Sequence, residues 1–504
     1  MTTSPTSRPI QQPAAFRWRW AALFVVLAAE VMDLLDALIT TIAGPTIVRD
    51  IGGGGTMIQW LSAAYTMAMA TGLLIGGRLG DMYGRKRMFS IGMAGFTLFS
   101  ALCAAAQSPG MLVTCRVLQG LFGAMLLPQG LGVIKEVFPP KEVGAAFGLF
   151  GPIMGLSAVG GPILAGWLVD ADLLGLGWRA IFAINVPIGL AALICAQKFL
   201  PANRPKRSLR LDIPGVLLAA TGMFLLVYPL VQGREHGWPV WCFLMLAGAA
   251  VVLLAFGVVE VRRDRDGRST LVVPSLFAKR AFTGGLATGL AFFSSLMGVG
   301  LVFTLFVQLG LGYTPLKAGL AGLPQAIGMM LGFGVAQVLN AKWGRRLMHV
   351  GSLIVVAGMV GFALTVSTAG TAIGIWSMAP SLLVIGIGMG MTMAPFFDIV
   401  LAGVEDAESG SASGTMTAVQ QIGGSVGVAV LGTVFFSVVG HGSPSDRFHA
   451  FGGAAQVTMM VAAGLVAVAF LLTFMLPKHA RPHQEFAGGE GGTADPVIVG
   501  SAGR

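Results

Sequence analysis

Residues 20–45 read WAALFVVLAAEVMDLLDALITTIAGP, an almost unbroken apolar run that nevertheless contains Glu30, Asp33 and Asp36. The run is long enough to cross a bilayer, which takes roughly 20 residues as a helix. An acid near the centre of such a helix costs about 2.5–3.5 kcal/mol on insertion scales, so three of them call for a use. The spacing i, i+3, i+6 steps about −60° per acid at 3.6 residues per turn, which predicts one shared face within an arc of roughly 120°. Carboxylates this close in a low dielectric cannot all be ionised together, so the face is expected to hold at least one exchangeable proton. Facing a water-accessible interior, it would couple proton movement to something else. The plainer alternative is a set of packing acids paired to arginine or backbone groups.

The whole chain has the same character. Of 504 residues, 55% are hydrophobic and only 11% charged, against about 25% charged in a soluble protein. This predicts an all-α polytopic membrane protein with the lipid bilayer as its solvent. The net charge of +10 would suggest nucleic acid in a soluble protein. Here it is better placed in cytoplasmic loops, and no nucleic-acid partner is expected. The cysteines, Cys103, Cys115, Cys195 and Cys242, show no ligand spacing, so neither a metal site nor a disulfide framework is predicted. The chain has no GxxxxGK[ST] phosphate loop and no soluble stretch able to house an enzyme domain, which argues against a membrane enzyme or an ATP-driven pump.

Fourteen apolar spans are predicted, at 20–44, 57–78, 88–108, 111–134, 144–169, 180–200, 212–232, 239–260, 282–310, 317–339, 347–367, 373–397, 411–440 and 454–476. Residues 1–19 and 477–504 read as disordered tails. Basic residues fall in alternate connections: Arg85, Lys86 and Arg87; Arg204, Lys206, Arg207 and Arg210; Arg262, Arg263, Arg265 and Arg268; Lys342, Arg345 and Arg346. That bias predicts cytoplasmic termini in a multi-pass inner-membrane protein. GRLGDMYGRKRM after span 2 partly repeats as QVLNAKWGRRLM after span 10, with Gly84 on Gly344 and Arg85 on Arg345. Such a repeat predicts two homologous six-helix bundles, 20–200 and 269–476, around a substrate path. Residues 201–268 would then be a linker carrying two additional helices.

Several motifs carry chemistry. Gly77, Asp81, Gly84, Arg85 and Arg87 form a glycine-rich basic loop in which Asp81 is suited to charge-assisted bonds made in one conformation and broken in another. This loop resembles the signature loop of the major facilitator superfamily. Arg116, inside span 4, requires a carboxylate partner, expected to be Asp36 or Asp33. Arg116-x-x-Gln119-Gly120 resembles the superfamily's fourth-helix motif, which the resemblance implicates in proton transfer. Gly148, Ser157, Gly161 and Pro162 resemble its fifth-helix antiporter motif; a glycine-rich packing helix is the bland reading. Leu35-Asp36 with Pro45, and Trp178-Arg179 through Asn185-Val-Pro187, resemble the fourteen-helix drug:proton antiporters. Gln308, Gln325, Gln420 and Gln421 either line a cavity or bond between helices, and Asp398 reads as a helix-end acid rather than a second proton site.

The resemblance implies a monomeric antiporter that takes protons and a small amphipathic substrate, needs no cofactor beyond a proton gradient, and exports drugs or antibiotics by alternating access. Export of an endogenous lipid or metabolite by the same fold is the alternative.

Overall fold

The computed structural model describes residues 16–139, 142, 146, 149–202, 211–401, 404, 408–440 and 447–477. Most of the two expected tails, and Gly148, lie outside the described residues. Twelve described helices are long and apolar enough to cross a membrane. Two more helices, α1 (Arg19–Ile51) and α6 (Phe150–Asp170), are 33 and 21 residues long and lie where the first and fifth of the fourteen expected spans fall. α1 begins at Arg19, inside the stretch expected to be a tail, where Arg19 Nε donates to Glu142 at 2.7 Å.

The first bundle contains α1, α2 (Gly54–Tyr83), α3 (Arg85–Ala104), α4 (Pro109–Gly123) continued by α5 (Leu126–Val137), α6, and α7 (Asn185–Phe199) at the end of the span Gly177–Phe199. The helix ends follow local chemistry. Ser108 caps α4 by accepting from Met111 N at 3.3 Å, with Pro109 in the first turn, where its missing N–H costs nothing. Gly84 breaks α2 from α3 at φ 96°, a region that only glycine enters easily.

Two helices follow, α8 (Ile213–Gln232) and α9 (Val240–Arg265). The second bundle has α10 (Arg280–Leu305), α11 (Pro315–Ala321) continued by α12 (Leu323–Trp343), α13 (Arg345–Ala369), α14 (Ile375–Leu401), α15 (Ser409–Gly440) and α16 (Arg447–Leu472). Gly344 separates α12 from α13 at φ 47°, and its N–H bonds Asn340 O just as that of Gly84 bonds Gly80 O. The sequence repeat is therefore matched by a repeated helix break at a glycine of positive φ.

The bundles meet along α2 with α15 and along α6 with α11. The seam is made of backbone brought close, since small residues are the means by which apolar helices associate in lipid. Gln308 Nε2 donates to Ile42 O at 2.7 Å, Ser425 Oγ to Ala63 O at 3.0 Å, and Leu316 N to Asp170 at 3.1 Å. These bonds run from mid-height to the face opposite Arg85. α8 lies over the α2–α15 seam, where its Leu230 O accepts from Thr433 at 2.7 Å and its Tyr228 ring packs on Trp60. α9 packs on α8 and turns outward, leaving Phe243, Leu244, Val251, Leu254 and Val258 exposed, as suits a lipid-facing helix.

Candidate functional site

Asp36 projects from α1 into the first bundle and is 1% exposed; Arg116 reaches it from α4 and is fully buried. Arg116 Nη1 donates to Asp36 Oδ2 and, at 2.8 Å, to Gln119 Oε1, while its Nε donates to Leu61 O at 3.1 Å. Gln119 Nε2 donates to Asp36 Oδ1 at 3.0 Å and to Ser100 Oγ at 2.8 Å. Asn185, at the head of α7, donates to the same Asp36 oxygen at 2.8 Å. A single carboxylate is thus held by three residues from two further spans, with Ser100 of α3 behind Gln119. That is what a buried charge needs if desolvation is not to expel it.

Tyr65 of α2 extends the group. Arg116 lies over its ring at 4.1 Å, and its hydroxyl donates to Asp33 Oδ1. Asp33 is only partly buried, so it is the wetter end of a chain running Asp33, Tyr65, Arg116, Asp36. Among the described residues, Arg116 Nη2 has no hydrogen-bond partner. The guanidinium therefore keeps a free donor while bound to one of two nearby carboxylates, an arrangement in which a cation can be handed from one acid to the other.

The three acids do not act as a single exposed face. Asp36 is sealed, Asp33 meets Tyr65, and Glu30, 8% exposed, makes no hydrogen bond or ion pair among the described residues. An arc of roughly 120° spans more than one neighbouring helix, so each acid meets different surroundings. Sequence reading named Arg116 and Gln119. It did not single out Tyr65 or Ser100, and it quoted Asn185 without a role. An Asn in the Trp178–Pro187 run, polar within an apolar segment, was the available signal.

In the signature loop, Asp81 pairs with Arg85 at 3.3 Å, a half-exposed local contact worth little by itself. Arg87 is exposed, and Gly77 lies against Pro128. On α6, Gly161 faces Leu35 and Leu38 of α1, and the carbonyl of Pro162 lies where a Cβ on Gly319 would be. Gln308 bonds across the seam; Gln325 approaches Met389 Sδ at 3.5 Å; Gln421 donates to Met69 Sδ at 3.2 Å; and Gln420 is partly buried. Asp398 accepts from Asn340 at 3.0 Å near the end of α14.

Two helical bundles joined by a glycine-tight seam, one holding a sealed ion pair, define a polytopic membrane transporter. The chain is 46% identical over 85% of its length, and 74% of the relative's, to a probable actinorhodin transporter of Streptomyces coelicolor. It is 35% identical to a puromycin resistance protein of Streptomyces alboniger, covering 91% of this chain and 89% of that one. In fold it resembles a bacterial homologue of the human lysosomal transporter Spinster, with a TM-score of 0.63 at 16% identity, covering 91% and 96% of the two chains. The description Major Facilitator Superfamily matches residues 20–428, and the chain belongs to that family, one of transporters rather than enzymes.

Proposed function

We propose that this protein exports small amphipathic molecules of the antibiotic type in exchange for protons. The observation that carries the reading is the buried Asp36–Arg116 pair standing beside Tyr65 and the partly open Asp33. The names of the relatives, a transporter and a resistance protein for Streptomyces antibiotics, support the substrate class.

In the proposed cycle a proton enters at Asp33. Its neutralisation loosens the Tyr65 bond and leaves Arg116 to Asp36 alone. Loss of the proton on the other side restores the second anion and its pull on Arg116. The rearrangement is passed to the seam through α1, which packs on both α2 and α6. Glu30, Asp33, Asp36 and Arg116 are the proposed coupling group, and Gly77, Asp81, Gly84, Arg85 and Arg87 the proposed gating loop. The transporter works as a monomer in the cytoplasmic membrane with both termini inside. The bundles are residues 20–200 and 269–476, and the proton gradient is the only energy source. Each proton entering down the potential supplies about 2.3 kcal/mol per 100 mV.

The test is purified protein in proteoliposomes with a pH-sensitive dye inside. Adding a cationic amphipathic drug to vesicles carrying a proton gradient is expected to release protons and move drug together. Drug-independent behaviour across a panel of such compounds, with movement of a lipid instead, overturns the reading. Tyr65→Phe keeps the ring under Arg116 and removes only the hydroxyl. A hydrogen bond to a charged group contributes about 1.5–3 kcal/mol, so drug-driven proton flux is expected to fall about tenfold or more with protein yield unchanged.

A further inference from the structure

The two helices between the bundles carry a second group of ionisable side chains, which the cycle above does not use. Asp212 caps α8 by accepting from Gly215 N at 3.0 Å, and Glu260, near the end of α9, accepts from Val272 N at 3.1 Å. Both carboxyls are buried, at 0% and 3% exposure. Their remaining oxygens converge over Gly215, where a Cβ would lie 2.7 Å from Asp212 Oδ2 and 2.5 Å from Glu260 Oε1.

Among the described residues, neither of those oxygens accepts a hydrogen bond from any donor. Arg263 Nε stands 3.1 Å from Asp212 Oδ2, near enough to attract it but off the line of a hydrogen bond. From α2, Arg78 of the signature loop lies within electrostatic reach of both acids and of Asp81, and among the described residues its buried Nη1 has no acceptor. Two buried acceptors that face one another are both satisfied by a single hydrogen, and leaving them bare costs about 1–3 kcal/mol or more each.

We propose that Asp212 and Glu260 share one proton, so that the inserted helix pair is a proton-binding site separate from the acids of α1. The protonated carboxyl donates to its neighbour and ties the start of α8 to the end of α9. When the proton leaves to water, the two anions repel. Arg78 then has an acceptor to move to, and the signature loop becomes anchored to the inserted helices. Occupancy of this site therefore sets how freely the loop moves.

The test uses the full-length protein in detergent, in sodium-free buffer, from about pH 5.5 to about pH 8.5. A proton held only in the folded state stabilises at low pH, and that stability is lost as pH rises through the release. Wild-type Tm is therefore expected to fall by several degrees across the range, and infrared spectra should contain a protonated-carboxyl carbonyl band. Glu260→Gln supplies a permanent donor to Asp212. It should at least halve the fall in Tm and remove this site's part of that band, while contributions from the α1 acids cancel in the comparison. Asp212→Asn, which keeps the helix cap, repeats the comparison if Glu260→Gln does not fold. An unchanged pH slope with an unchanged band in the folded variant overturns the proposal. So does a wild-type Tm that rises with added sodium as much as with added acid, which would mark a metal cation between the carboxyls.

Discussion

Asp36→Asn is expected to abolish drug-driven proton flux while the protein remains in the membrane. Asparagine fills the same space but keeps one acceptor oxygen, so its NH2 must face either Arg116 or the pair Gln119 and Asn185, the three side chains that bond Asp36. It carries no charge and no exchangeable proton. Arg116, fully buried, then has Asp33 as its remaining nearby anion, and the alternation between two acids stops. Removing one partner of a buried pair costs about 3–5 kcal/mol, so yield should fall as well. Insertion should survive, because a span with one acid fewer is cheaper to place in lipid. Asp36→Glu separates the two effects: it restores charge at the cost of geometry and should recover part of the flux. Wild-type flux in Asp36→Asn vesicles, measured per molecule of inserted protein, would remove this residue from the mechanism.

Gly319→Val is expected to be nearly as severe for a different reason. α11 crosses α6 so closely that a Cβ at Gly319 meets the carbonyl of Pro162, and one at Gly166 meets the backbone of Leu316. Backbone on both sides leaves nothing to rotate away. Overpacking of this kind costs about 1–3 kcal/mol, and here it falls entirely on the state in which this seam is closed. A penalty of about 2.8 kcal/mol moves a two-state equilibrium roughly 100-fold. The bundles should therefore spend their time parted at the face opposite Arg85. Export should drop at least about tenfold, and a cysteine placed at Ser62, beside Thr41 between α1 and α2, should react at least about tenfold faster with an impermeant maleimide. Unchanged labelling together with unchanged export would show that this seam does not open.

Much of the architecture was legible in the sequence. A span is set by how many apolar residues the bilayer requires, which is a sum over neighbours along the chain and needs no tertiary knowledge. Arg116 declared its need for an acid because an unpaired cation in that setting is too costly to persist. Gly84 and Gly344 announced the repeat because each helix break needs a positive φ.

What the sequence left open was which groups meet. Asn185 and Asp36 are 149 residues apart, and Gln308 and Ile42 are 266 apart. Nothing in either neighbourhood selects the other, because an apolar helix carries little information about its own rotation. The spacing of Glu30, Asp33 and Asp36 suggested a common face, yet packing gave Asp36 an arginine, Asp33 a tyrosine and Glu30 no bonded partner among the described residues. Asp212 and Glu260, 48 residues apart, carry no mutual signal in the sequence; α8 and α9 bring their oxygens together over Gly215. Hydropathy is local and additive, so sequence alone determined the spans, the repeat and the cost of each intramembrane charge. Pairing depends on helix rotation and on close backbone approach between distant segments, and only the tertiary structure decided it.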